Sequence, residues 1–331
     1  MAVNSLPKVT DTFEGAYDNK GLLYVVRKNK LIAILKDWQV IYVPEGGIAL
    51  VDAIAPSSFS IGDKVYNVPA GITYVELGLT APITGNDMYQ KVLYQNAGIR
   101  GFGLYLDGSK NTDLGKTFAE AADLEWLDIS GMDTKAVTYG YGICFKSTKL
   151  RKIYGKWQLP NVTRLDNSFI NCTSLEEIDV SEAGMGKCVN FAFMFMHCVK
   201  LTALDVSRWD TSVATNMSYM FSGCSALTAL DVSGWNTAAC TNMSGTFSGC
   251  SSLSTLRWPM MGKIKADATN NKSISLRDSP LDRASLDSIF AYDRTANGLT
   301  NPLTVQLSAT SKALLSAEDI AAITAKGYTI V

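Results

Sequence analysis

The sequence predicts an α/β repeat solenoid of short parallel strands that follows a β-rich N-terminal domain. Three observations lead to this fold class. Residues 201–211 align without a gap on residues 227–237, each copy carries the apolar pattern of one short strand, and residues 1–98 lack the repeat. A unit of this kind cannot bury its apolar side alone, so we expect successive units to stack around one shared core.

The repeat has a period of 26 residues. Leu-Thr-Ala-Leu-Asp-Val-Ser begins at Leu201 and again at Leu227, and Asn-Met-Ser begins at Asn216 and again at Asn242. Less regular copies continue the register upstream to residue 118 and downstream to residue 256, which gives six units. An agreement of this length indicates a repeat architecture and not a chance similarity.

Each unit divides into a strand and a turn. Alternate residues of the strand, L-x-x-L-x-V, point into the core. We expect the segment Asn-Met-Ser-x-x-Phe-x-x-Cys to form a helical turn or an irregular arc that inserts Met, Phe and Cys into the same core. The sequence therefore assigns residues 1–98 to an attachment domain and residues 99–331 to the solenoid, with strand–helix capping repeats over about 258–331.

The repeat motifs resemble those of a known family. Leu-Asp-Val-Ser-x-Trp, Thr-Asn-Met-Ser and Phe-Ser-Gly-Cys-Ser are similar to the BspA-like leucine-rich repeats of bacterial surface proteins, which also occur in bacteriophage tail and fibre proteins of gut bacteria. The resemblance is specific over residues 175–256, weaker over 118–174 and absent from 1–100. It implies a leucine-rich-repeat-like fold and a role in adhesion without enzymatic activity.

Both ends of the chain carry element patterns of their own. In the N-terminal domain we expect strands, the first two joined as a hairpin, at residues 22–26, 31–35, 40–43, 48–51, 64–68 and 72–77. In the capping repeats we expect strands at residues 273–277, 303–307 and 328–331. Helices are expected over residues 281–292 and after a capping box formed by Ser316 and Asp319.

Composition and charge argue against several classes of function. A formal net charge of −1 without a basic stripe argues against nucleic-acid binding, which needs clustered cations. Apolar runs such as residues 31–35 are far shorter than the ~20 residues of a membrane span, so no membrane insertion is expected. The first residues lack a secretory leader, and seven cysteines without a C-x-x-C pair favour reduced thiols, as expected for a protein made in the cytosol.

The outward side of the strands supplies most of the candidate ligand-binding residues. One residue per unit forms a column that consists of Asp128, Tyr154, Asp179, Asp205, Asp231 and Arg257. Carboxylates on neighbouring strands, roughly 5 Å apart, repel one another. We favour hydrogen bonds from nearby hydroxyls and loop amides as the compensation. The alternative is a surface that binds a hard cation or a hydroxyl-rich glycan.

Two tryptophans complete the candidate ligand surface. Trp209 and Trp235 occupy equivalent positions just beyond the strands of successive units. Packing in the core or at its rim is the favoured interpretation. If exposed, the two indoles would form an apolar platform for sugar rings or an aromatic anchor.

Two further columns are interpreted as structural. A left-handed turn, which Gly, Asn and His tolerate, is expected at Asn171, His197, Gly223 and Gly249. Small buried thiols, spaced too widely for a metal site, are expected at Cys172, Cys198, Cys224 and Cys250. Because His197 is the only histidine, most nucleophile–base pairs are excluded, and the sequence predicts no catalytic residue, metal or cofactor.

These features together predict a non-enzymatic recognition or adhesion protein. The favoured hypothesis is a bacteriophage virion protein (fibre, tail or decoration) whose repeats bind a bacterial surface glycan or protein. Residues 1–98 would then bind a virion or other assembly protein. A bacterial cell-surface adhesin and an intracellular protein-binding scaffold are the alternatives, and homo-oligomerisation is left open.

Overall fold

The computed structural model describes residues 112–264 and 273–331, together with eight strands between residues 14 and 106. Those eight strands are β1 (Glu14–Tyr17), β2 (Leu22–Arg27), β3 (Lys30–Leu35), β4 (Ile41–Val43), β5 (Ser57–Ile61), β6 (Lys64–Val68), β7 (Tyr74–Leu79) and β8 (Gly101–Leu106). The next five are β9 (Trp126–Met132), β10 (Lys152–Lys156), β11 (Glu177–Asp179), β12 (Ala229–Asp231) and β13 (Thr255–Arg257).

The strands predicted near the N-terminus are largely confirmed. β2 and β3 form the expected antiparallel hairpin, with Arg27 opposite Lys30. β4 and β6 also match their predictions, whereas β7 begins two residues later than expected. β1 and β5 were not predicted, and the strand expected at 48–51 lies outside the described residues.

One sheet runs from these strands into the repeats. Its order is β1-β2-β3-β4-β7-β8-β9-β10-β11, and pairing changes from antiparallel to parallel between β4 and β8. Parallel pairing joins β7, which precedes the predicted start of the solenoid at residue 99, to β8, which follows it. The stack continues through β12 and β13 to give about eight turns, which confirms the predicted repeat solenoid.

The core between the strands and the turns consists of columns of equivalent apolar side chains. Phe169, Phe195, Phe221 and Phe247 lie at successive levels, with neighbouring ring centroids 5.3–5.9 Å apart and nearly parallel planes. All four are almost completely buried. Because each ring covers the next, a single unit would leave its ring exposed, and the core exists only in the stack.

In one seven-residue turn segment of each unit, the backbone hydrogen bonds to the next unit all run in one direction. In residues 165–171, alternate N–H groups donate to carbonyl oxygens of the next unit at 2.8–3.0 Å, and those of Ser168 and Ile170 bond within their own turn. This pattern, the turn ladder, joins the turn segments 114–120, 140–146, 165–171, 191–197, 217–223 and 243–249. The turn segments lie outside the short strands, and the ladder gives their backbone groups hydrogen-bond partners.

Each turn segment contains two residues in the left-handed region. The first αL column consists of Lys116, Gly142, Asn167, Phe193, Tyr219 and Gly245, with φ between 54° and 64°. The second αL column consists of Glu120, Lys146, Asn171, His197, Gly223 and Gly249, with φ between 51° and 76°. The left-handed slot predicted from the last four residues of the second column is confirmed, and it extends to Glu120 and Lys146.

The capping repeats form a separate three-stranded parallel sheet with short helices. Its elements are β14 (Ser273–Leu276), α1 (Arg283–Ile289), β15 (Leu303–Leu307), α2 (Ala309–Lys312), α3 (Ala317–Ala325) and β16 (Tyr328–Ile330). The capping box of Ser316 and Asp319 is confirmed at the start of α3. α1 is shorter than the helix predicted over 281–292, and α2 was not predicted because one turn of helix leaves no periodic pattern.

Helix α1 covers the end of the solenoid sheet at β13. The backbone N–H of Leu256 donates to Ser285 Oγ at 2.8 Å, and that of Trp258 donates to Ser288 Oγ at 3.0 Å. The two hydroxyls thus replace the carbonyl oxygens of a further strand. A covered edge cannot pair with another chain, which is how natural sheets avoid aggregation.

Buried Arg294 joins the capping repeats to the last turn of the solenoid through hydrogen bonds. Its guanidinium donates to the carbonyl oxygens of Gly262 and Ile264, both at 2.7 Å, and to that of Asn301 at 2.8 Å. Burial lowers the pKa of this guanidinium, since no carboxylate is among these acceptors. Arg294 is only 1% exposed, so the three carbonyl oxygens stabilise its positive charge in place of water.

Candidate functional site

The aspartates of the predicted ligand column bond to the serine two residues further along the chain. The N–H of Ser207 donates to Asp205 at 3.1 Å and its hydroxyl does so at 2.7 Å, and Ser181 makes the same pair of bonds to Asp179 at 3.0 and 2.7 Å. Asp128 accepts from the N–H of Ser130 at 2.8 Å. This geometry matches the account in which hydroxyls and loop amides compensate the column of carboxylates.

The charges of this column are stabilised locally. Hydrogen bonds from the Ser207 hydroxyl and amide lower the pKa of Asp205. Burial acts to raise the pKa of Asp231, but the bonds from Ser233 and the guanidinium of Arg257, 3.9 Å away, outweigh it and the pKa is lowered. Both carboxylates therefore stay ionised without a bound cation.

The two members of the column that are not aspartates lie on the outer surface. Tyr154 is 41% exposed, and the Lys152 ammonium lies 5.1 Å from the centre of its ring. Arg257, the last member of the column, is exposed beside Asp231. The structure thus places all six candidates on one side of the strands, where their role as a ligand surface stays a prediction.

Trp209 and Trp235 do not form an exposed platform. Each is only 1% exposed, the rings stack with centroids 6.4 Å apart, and the indole N–H groups donate to the carbonyl oxygens of Val180 and Val206. The packing in the core that the sequence favoured is therefore confirmed, and the exposed platform considered as its alternative, with the two tryptophans as ligand-binding candidates, is wrong. The physical reason is that an indole buries a large apolar area once its single donor has a partner.

The thiols are buried in the core and poorly suited to chemistry. Cys172, Cys198, Cys224 and Cys250 occupy the predicted core positions, and each donates to a backbone carbonyl of the preceding unit at 3.1–3.2 Å. Burial raises the pKa of Cys172 and of Cys250 to about 12. A thiolate, the reactive form, is therefore scarce at neutral pH.

The face formed by the turn segments carries a second set of exposed side chains that the sequence did not single out. Tyr219, from the first αL column, is 39% exposed and stacks on Phe193 with centroids 5.3 Å apart and an interplanar angle of 4°. A Cβ on Gly245 would collide with the other side of the Tyr219 ring. Phe193 and Gly245 thus both lie close to the ring, so the pair is poorly arranged for stacking on a sugar.

A shallow groove of about 620 Å³ crosses the first three turn segments. Its lining consists of Glu120, Ala122, Lys146, Thr148, Asn171 and Thr173. Three of these residues belong to the second αL column, and each of the others lies two positions further along in the same unit. The groove therefore contains a carboxylate, an ammonium, an amide and two hydroxyls, one or two from each unit.

Neighbouring side chains hold part of this groove in place. The His197 ring nitrogen Nδ1 donates to Asn171 Oδ1 at 2.9 Å, and the Thr173 hydroxyl donates to the carbonyl oxygen of Thr148 at 3.3 Å. The Lys146 ammonium lies 4.9 Å from the centre of the Phe145 ring. Such contacts reduce the number of rotamers that the groove side chains must lose when a ligand binds.

Comparison with protein families gives one match. The family described as "Mycoplasma protein of unknown function, DUF285" matches residues 86–183 and again residues 163–266, which together span more than half of the chain. The chain belongs to the DUF285 family. Comparisons with curated proteins and with solved structures gave no match.

The two DUF285 matches cover the groove, the exposed aromatic pair and the two tryptophans. The groove lies within the first match, and the Phe193–Tyr219 pair and the two buried tryptophans lie within the second. Residues 267–331, which form most of the capping repeats, lie outside both. Within the described part of the chain, no group of three or more His, Cys, Asp or Glu side chains could hold a metal ion, and no helix is long and apolar enough to cross a membrane.

Proposed function

We propose that this DUF285 chain is a non-enzymatic recognition protein whose repeats bind a ligand on a bacterial surface. The supporting observation is the turn face, where the second αL column presents one side chain from each of four successive units, Glu120, Lys146, Asn171 and His197, at a fixed spacing of roughly 4.8 Å. The turn ladder holds the backbone beneath it with four hydrogen bonds at each step. A preorganised row of this kind loses little entropy when it binds an extended partner.

The proposal includes a biological setting, a bacteriophage virion. The repeat motifs resemble those of bacterial surface proteins and phage tail and fibre proteins, and a solenoid supplies the long, rigid surface that attachment requires. Residues 1–98 would attach the solenoid to another virion or assembly protein. Binding of a bacterial surface glycan or protein would then be the task of the repeats.

Quantitative mass spectrometry of purified extracellular particles, cell envelope and cytosol from a producing culture tests this setting. Enrichment in particles at a structural copy number supports the virion protein. Enrichment in the envelope replaces it with a bacterial surface adhesin. Recovery from the cytosol alone overturns both and leaves an intracellular protein-binding scaffold.

Binding itself is tested with the fluorescently labelled full chain and intact cells of the bacterium that carries the gene. Saturable binding that unlabelled protein displaces supports surface recognition. If the labelled protein is no more retained than a labelled protein of similar size and charge, the proposed recognition function is wrong.

A further inference from the structure

The turn-face groove has the composition of a site for an uncharged, hydroxyl-rich molecule. Glu120 supplies acceptors, Lys146 supplies donors, and Asn171 supplies both. The hydroxyls of Thr148 and Thr173 can each donate and accept. We propose that this groove is the binding site for a neutral glycan that lies along the solenoid axis, which rests on the proposed recognition function and names its ligand class.

Charge decides against a polyanion as the occupant. Glu120 and Lys146 belong to successive units of the second αL column and bring opposite charges to the same groove. A nucleic acid or acidic polysaccharide requires cations that no carboxylate opposes, and an acidic group beside Glu120 would be repelled. A neutral polyol instead uses both residues, as acceptor and as donor, and adds no net charge.

Backbone geometry decides against a peptide strand. A peptide that adds to a sheet needs a row of unpaired N–H and C=O groups at an edge. Along this face the N–H groups of Glu120, Lys146 and Asn171 already donate to the next unit at 2.6, 2.9 and 2.8 Å. These N–H groups therefore cannot pair with an added strand, and the side chains beside them include polar groups of the kinds that bond to sugar hydroxyls.

Three groove residues belong to the second αL column, so their side chains can be removed without disturbing the fold. Downstream units have Gly223 and Gly249 at the position of Asn171, so glycine fits this backbone conformation. The triple variant Glu120→Gly, Lys146→Gly, Asn171→Gly therefore removes the charged and amide side chains of the groove and retains the turn ladder. Asn167→Gly is the matched control, since Asn167 has a φ of 61° in the same unit but does not line the groove.

The full-length protein and both variants are tested on an array of neutral and anionic glycans, and affinities are measured by titration with the best neutral ligand. We expect binding to a neutral glycan, at least about tenfold weaker in the triple variant and within about twofold of wild type in Asn167→Gly. Binding to anionic glycans alone, binding to no glycan, or an equal loss in both variants overturns the proposal.

A second measurement separates this proposal from the recognition function on which it depends. Cells are treated with periodate, which cleaves the vicinal diols of sugars, or with a protease, before the labelled protein is added. Loss of binding after periodate, matched by loss in the triple variant on untreated cells, supports the glycan groove. Loss after protease alone leaves surface recognition intact and overturns the groove. No binding to untreated cells overturns the recognition function itself.

Discussion

The backbone N–H of Gly249 donates to the carboxylate of Asp278 at 2.8 Å. In the preceding turn segments the equivalent N–H donates to a backbone carbonyl of the next unit, as that of Gly223 does to Ser248. Asp278 thus takes the place of a carbonyl at the end of the turn ladder. Because the bonds of the turn ladder all point one way, their peptide dipoles add, and the positive end of the ladder lies at segment 243–249. A carboxylate is favourable there for the same reason as at a helix N-terminus.

Replacement of Asp278 should therefore destabilise the solenoid. We expect Asp278→Ala to lower the free energy of unfolding by about 1 kcal/mol, the usual effect of losing an N-terminal cap. Asp278→Asn should lose less, because the amide oxygen still accepts the bond. Urea denaturation measures both. Asp287→Ala is the control, since Arg283 keeps its pairing with Asp319. An equal effect of Asp278→Ala and Asp287→Ala would contradict the capping role.

The second αL column predicts a stabilising substitution. Lys146 has a φ of 57°, which costs a residue with a side chain about 1–2 kcal/mol relative to glycine. After the greater flexibility of glycine in the unfolded chain is subtracted, we expect Lys146→Gly to raise the free energy of unfolding by about 0.5–1 kcal/mol. Chemical denaturation measures the change.

The control for this substitution lies two residues away in the same groove. Thr148 is exposed and is not among the residues with a positive φ, so Thr148→Gly should destabilise by about 0.5–1 kcal/mol. The two glycine substitutions thus differ in sign. If both destabilise, the left-handed conformation of Lys146 is not the source of strain that we infer.

The sequence predicts those features of this fold that leave a repeated chemical signature. Equivalent positions occupied by Asn171, His197 and Gly223 indicate a left-handed turn, because these residue types share that conformation. The strands follow from alternation of apolar residues, although residues 201–207 form no assigned strand despite the clearest motif. A three-residue strand depends on small backbone shifts that side chains do not encode.

The turn ladder and the groove could not be predicted in the same way. In the first αL column the left-handed position is occupied by Phe193 and Tyr219, whose residue types rarely adopt it, so the signature is hidden. The groove depends on Glu120 and Lys146, which look like ordinary surface charges in the sequence. Only the register between units brings them together.

The cysteines predict a large difference between native and unfolded protein in thiol reactivity. All seven are buried, and burial raises the pKa of Cys188 to about 12 and of Cys240 to about 11. At pH 8 we expect almost no reaction of the folded protein with a chromogenic disulfide reagent, and reaction of seven thiols per chain in denaturant. Rapid reaction of one or more thiols in the folded protein would show that the core opens on the timescale of the assay.

The capping of helix α1 predicts a specific loss of stability in acid. Asp282 accepts from the Ser285 hydroxyl at 2.6 Å and from its N–H at 2.8 Å, and these bonds lower its pKa. A carboxyl whose pKa is lowered by folding stabilises the native state above its ordinary pKa of 3.8. That contribution is lost as the pH falls through the lowered value, because the protonated carboxyl is the weaker acceptor.

Asp282→Asn isolates this contribution, since asparagine still caps the helix but does not titrate. We expect the variant to melt at a lower temperature than wild type at about pH 7, and the difference to shrink as the pH falls below about 4. Thermal unfolding followed by circular dichroism across this range measures it, with Asp287→Asn as a helix-surface control. A difference that stays constant with pH would mean that the charge of Asp282 contributes nothing to holding α1 against β13.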